Sequence, residues 1–167
     1  MSKLSNSTYL RSLIFGFEDS IVSTVGLLSG VALTGVGTKI VLLTGTILIF
    51  VEAFSMGAGM YLSESSVEEF EDHKYTDNKI SIKAGIITFI SYCLAGFIIL
   101  LPYIFLDTIT AFYVSIVISF ISLACLGILS AKISKIPVFK KVTNMVLVGG
   151  IAIIIGIFVG SLVDKLA

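Results

Sequence analysis

Charge is scarce in this chain, and so are the residues that build soluble metal or redox centres. Asp, Glu, Lys and Arg together make up 13% of its 167 residues, roughly half the share carried by a soluble globular domain. One histidine and two cysteines, none close to another, give neither a zinc-ligand spacing nor a disulfide framework. The polar links hold no glycine-rich phosphate loop, so transport driven by ATP on this chain is not expected, and nothing in it reads as an enzyme active site. Formal net charge is zero and the lysines are dispersed, so no nucleic-acid partner is expected. The first apolar run is interrupted by Glu18 and Asp19 and has no small-residue cleavage site before them, so it does not read as a cleavable signal.

What is present is apolar: 56% hydrophobic residues and a mean hydropathy of +1.08. These values predict an all-α integral membrane protein. Five apolar segments, 12–34, 40–62, 83–104, 109–131 and 143–163, each approach the ~20 residues needed to span a bilayer. They predict a single transmembrane domain over 1–167, with a short acidic link at 64–82. Gly35-Val36-Gly37, Leu101-Pro102-Tyr103 with Asp107, and Ile136-Pro137 mark the remaining breaks. Lys3, Arg11, Lys74, Lys79, Lys83, Lys132, Lys135, Lys140 and Lys141 fall on one side of these spans, against Lys39 and Lys165 on the other. The positive-inside rule then places the N-terminus in the cytoplasm. Lys132, Lys135, Lys140 and Lys141 need no other role than topology and contact with anionic lipid.

Against this background Asp19 needs an explanation. A carboxylate within the hydrocarbon costs a few kcal/mol even on permissive scales, so it faces protein or a watery path and marks an ion, proton or substrate route. At helical spacing Ser12, Gly16, Asp19, Ser23, Gly26 and Gly30 share one face of the first segment, which predicts a face packed on protein. Gly26 and Gly30 form a Gly-x-x-x-Gly pair suited to close helix contact. In the second segment Glu52, Met56 and Met60 recur every four residues. With a rise of ~1.5 Å per residue on antiparallel helices, Asp19 and Met56 lie at about the same depth, on the order of 10 Å in, and Glu52 about 6 Å deeper, level with Ser23. Carboxylate oxygen with thioether sulfur suits a first-row transition metal better than calcium or magnesium. A methionine stripe by itself is more often packing, and the two carboxylates shift that balance. Cys93 and Cys125 read as small apolar packing residues.

Two stretches carry a family resemblance. Glu18-Asp19-Ser20-Ile21-Val22-Ser23-Thr24-Val25-Gly26-Leu27 and Glu52-Ala53-Phe54-Ser55-Met56-Gly57-Ala58-Gly59-Met60-Tyr61-Leu62-Ser63 resemble the first two helices of the vacuolar iron transporter family. Weaker agreement continues through Gly96, Leu101, Pro102 and Tyr103, then Gly127, then Gly149 to Gly160. The resemblance implies five helices per subunit and a homodimer with an ion path between subunits. It implies export of ferrous iron or manganese from the cytoplasm in exchange for protons, across a cell or organelle membrane. The metal is then cargo and no resident cofactor is expected. By resemblance Asp19 and Met56 occupy metal-pathway positions and Glu52 matches an acidic one. The chain also departs from the family. The cytoplasmic metal-binding domain that plant-type members carry between helices two and three is missing, Met60 stands where many relatives have an acid, and Ser12 where plant-type members have a second one. In the remaining link Glu64, Glu68 and Glu71 share a face if the second helix continues, and would collect cations; the plainer alternative is a solvated acidic helix end, with His73 alone beside it. A different class of function, a membrane scaffold or assembly factor whose carboxylates only join helices, stays open on the residues alone.

Overall fold

The computed structural model describes residues 3–73 and 79–166. Helix α1 spans Lys3–Leu33, α2 Thr38–Asp72, α3 Lys79–Leu100, α4 Pro102–Phe105, α5 Thr108–Ser134 and α6 Val138–Leu166. No strand occurs among the described residues, and five stretches are long and apolar enough to cross a membrane: Ser7–Leu33, Thr38–Phe70, Lys79–Phe105, Thr108–Ser134 and Val138–Val163. The third comprises α3 and α4 together. Pro102, which lacks an N–H, starts α4 after the break at Leu101.

The connections follow from local chemistry. Gly35 has φ +72, a left-handed conformation that glycine adopts without penalty, and it turns the chain between α1 and α2. The Asp107 side chain accepts a hydrogen bond from the Thr110 N–H at 3.0 Å, capping α5. That bond, with a smaller side-chain contribution from Thr110, holds the Asp107 carboxyl below its ordinary value. Lys135, in a left-handed conformation, closes α5 with its N–H shared between Ala131 and Lys132 carbonyls. Helix α2 is 35 residues long, so at ~1.5 Å per residue it reaches roughly 50 Å and projects well beyond the ~30 Å hydrocarbon core. The acidic stretch is its continuation.

Helix α1 is the hub, packed against α2, α3, α5 and α6. Ile21, Val25 and Leu28 of α1 are fully buried and belong to one apolar core with Ile49 of α2, Ile99 of α3, Leu123 of α5 and Ile153 of α6. The hydroxyls of Ser91, Ser115 and Ser119 donate to carbonyls three or four residues back, which keeps polar groups satisfied where there is no water. The opposite surfaces of α2 and α6 are apolar and exposed, with Phe50, Phe54, Ile154 and Phe158 among their large side chains. A bilayer solvates such a surface.

The small-residue face of α1 meets protein. Ser12, Gly16, Gly26 and Gly30 are buried, and Asp19 and Ser23 are partly buried. Gly26 and Gly30 meet Gly156 and Gly160 of α6, a second pair at the same spacing on a parallel helix. A Cβ on Gly156 would lie 2.5 Å from the Gly26 carbonyl oxygen, and one on Gly160 would overlap the Gly30 Cα. Because consecutive long helices alternate in direction, Arg11, Lys79, Lys83, Lys132, Lys135, Lys140 and Lys141 gather at one end of the bundle. The Lys3 side chain and Lys74 lie outside the described residues.

Candidate functional site

Asp19 of α1 and Glu52 of α2 are both partly buried in the interior half of the spans. They are close enough for the charge of Glu52 to act on Asp19, and both act on the phenol of Tyr92 from α3. Tyr92 is completely buried, and its hydroxyl lies 2.6 Å from Ser23 Oγ. Ser20 Oγ donates to the Tyr92 carbonyl oxygen at 2.7 Å. The acid pair therefore sits beside a set of hydroxyls that ties α1 to α3.

Toward the basic end, Met56 and Met60 line a cavity of about 560 Å³ together with Arg11, Phe15, Ser55, Gly59 and Ser63. Met56 is partly and Met60 almost fully buried. Asp19 and Glu52 do not line this cavity. The structure thus groups the proposed ligands in two sets, the carboxylates of Asp19 and Glu52 acting on each other and the thioethers of Met56 and Met60 lining the cavity. Among the described residues no three His, Cys, Asp or Glu side chains converge as a cluster able to hold a metal ion.

The acidic continuation of α2 is engaged within the protein. Glu64 is buried and pairs with Arg11 through Oε1, while its Oε2 lies 3.5 Å from the Thr8 hydroxyl, a long contact. Glu68 accepts from Ser81 Oγ of α3 at 2.6 Å. The Glu71 side chain lies outside the described residues. His73 is exposed, adopts a left-handed conformation at the end of α2, and meets the Phe70 ring edge-on. Glu18 interacts with Lys141 of α6 and with Asp19, and lines with Lys141, Arg11, Ser130 and Ser134 a smaller cavity of about 380 Å³.

Residue-type reasoning missed Arg11, Tyr92, Ser81 and Lys141 as partners. For Arg11 the signal was present: it precedes Asp19 by the same number of residues that Glu64 follows Met56, so the antiparallel register that levels Asp19 with Met56 also levels Arg11 with Glu64. The pair has an asymmetry that can be measured. Arg11 is 60% exposed and Glu64 only 10% by side chain, so Arg11→Met strands a buried carboxylate while Glu64→Gln leaves a solvated guanidinium. Removing a partner from a buried polar group costs about 1–3 kcal/mol, so thermal unfolding in detergent should show Arg11→Met the more destabilised of the two. Equal melting temperatures would place the pair among surface ion pairs of little worth.

Comparison with curated proteins found no match. A family model, the VIT family, matches residues 10–83 and 73–161. That match takes in both stretches of α1 and α2 holding Asp19, Glu52 and Met56, as well as the glycines that pack α6 on α1, and with it the chain belongs to the VIT family, a family of membrane metal-ion transporters.

Proposed function

We propose that this protein moves ferrous iron or manganese, or another divalent transition metal, out of the cytoplasm in exchange for protons, as a homodimer with its N-terminus in the cytoplasm. The observation that carries the reading is the pairing of two intramembrane carboxylates, Asp19 and Glu52, on antiparallel helices, with Glu52 one turn along α2 from Met56, which lines a cavity with Met60. Two partly buried acids with no basic partner among the interactions described for them are costly in a membrane unless a cation or protons neutralise them. Thioether sulfur adds preference for borderline-soft cations over calcium or magnesium. Metal and proton then compete for the same oxygens, which couples their movements. Among the described residues of one subunit no three His, Cys, Asp or Glu side chains converge, and a second copy related by a two-fold axis would double the carboxylates and thioethers available.

Uptake into proteoliposomes with an imposed pH gradient tests this directly. Flux of Fe²⁺ or Mn²⁺ should exceed that of Mg²⁺ or Ca²⁺ and should fall when the gradient is collapsed. No flux of any divalent ion would favour a membrane scaffold whose carboxylates serve only helix contact. Met56→Leu separates ligand from packing. The swap nearly conserves volume, which costs less than about 1.5 kcal/mol in a core, yet it removes the sulfur. Selectivity for Fe²⁺ over Mg²⁺ should drop while the protein remains folded, and unchanged selectivity would return Met56 to a packing role.

A further inference from the structure

The hydroxyl ties around Tyr92 have a geometry that packing alone does not call for. Tyr92 is fully buried in α3. It grips α1 at two points, its carbonyl oxygen accepting from Ser20 Oγ at 2.7 Å and its hydroxyl meeting Ser23 Oγ at 2.6 Å. Ser20 follows Asp19 by one residue and Ser23 by one helical turn. At ~100° per residue both hydroxyls project from the flank of α1 beside Asp19. Gly96, one turn beyond Tyr92 on α3, keeps the way open, since a Cβ there would lie 3.0 Å from Ser20 Oγ. One tie would let α1 swivel about it, whereas two ties on the same flank fix both the rotation and the height of α1 against α3.

Resting on the transport reading above, we infer that Tyr92 is a positioning residue for Asp19: it holds the rotation of α1 that turns the Asp19 carboxylate toward Glu52 of α2. The groups that act on the phenol agree with this placement. They are Asp19 from α1, Glu52 from α2 and the neighbouring thiol of Cys93 on α3, so the ring lies beside the acid pair. A phenylalanine would fill the same volume in the apolar core without any polar group to satisfy.

The test reads rotation and metal binding separately. Asp19→Cys and Glu52→Cys are combined in a Cys93→Ser, Cys125→Ser background, and the rate of joining by a short thiol-to-thiol cross-linker is measured in membranes. Adding Tyr92→Phe or Ser23→Ala should slow the reaction by about fivefold, the shift in population that one net hydrogen bond supports. Ser23→Thr keeps the hydroxyl and should restore the rate. In the chain with native Asp19 and Glu52, Tyr92→Phe should raise the apparent KM for Mn²⁺ by a similar factor at unchanged maximal flux. A cross-linking rate indifferent to Tyr92→Phe and Ser23→Ala overturns the inference whether or not the protein transports metal. Absence of Mn²⁺ flux in the parent with a slowed cross-link overturns the transport reading and leaves the rotation role standing.

Discussion

Asp19→Asn should abolish metal-for-proton exchange in a protein that still inserts and folds. The substitution keeps size and hydrogen-bonding capacity but removes the charge and the titrating proton. Asp19 is partly buried and the charged groups that interact with it, Glu18 and Glu52, are both acids, so the carboxylate contributes nothing to the apo fold that an amide would not match. Neutralising one of two like charges should, if anything, stabilise the unloaded protein. With a metal ion bound the balance reverses. Removing one partner of a buried charge interaction costs about 3–5 kcal/mol, so metal retention should fall roughly 100-fold or more. Isothermal titration with Mn²⁺ in detergent, beside flux in proteoliposomes, checks both halves. Parental flux from a well-folded Asp19→Asn would show that the acid pair lies off the ion path, and the scaffold reading would then account better for the two carboxylates.

The second large effect concerns folding. The combined substitution Gly156→Ala and Gly160→Ala should loosen α6 from α1. Each added Cβ meets backbone of the opposing helix, at 2.5 Å from the Gly26 carbonyl oxygen in one case and on the Gly30 Cα in the other. Backbone cannot swing aside as a flexible side chain can, so the two helices must separate along their whole contact. Overpacking of this kind costs about 1–3 kcal/mol per site, and for a chain of this size the melting temperature should drop on the order of 10 °C. Gly150→Ala is the control, since its Cβ would meet only the Phe120 ring at 3.5 Å, an ordinary contact. Should the double variant melt with the parent, the close approach of α1 and α6 would be wrong.

The glycine contact shows where sequence reading stops. Spacing alone marked Gly26 and Gly30 as a surface for close helix approach, because Gly-x-x-x-Gly lies on one side of any α-helix. Which helix comes there is a matter of topology, and α6, distant in sequence, provides Gly156 and Gly160. The acidic stretch shows the same limit in another form. Glu64, Glu68 and Glu71 do lie on one continuing helix, but the destinations of two of them, Arg11 and Ser81, belong to other helices. A cation-collecting role for Glu64 must now compete with a guanidinium already in place.

The sequence by itself determined that this is an all-helical membrane protein with five spans, and it marked Asp19, Glu52 and Met56 as the residues requiring an explanation. Hydrocarbon makes that possible, because it forces each span to satisfy its own backbone and makes any carboxylate within it conspicuous. Depth along antiparallel neighbours was equally legible, since a helix rises by a fixed step per residue. Only the tertiary structure decided rotation and lateral order. It set Asp19 beside Glu52 and Tyr92, gave Met56 and Met60 a separate cavity, turned Glu18 to Lys141, and brought the two glycine pairs face to face. The physical reason is that a helix buried among four others presents several suitable faces at once. Which neighbour each face receives depends on how all the helices pack together, and no single segment encodes that.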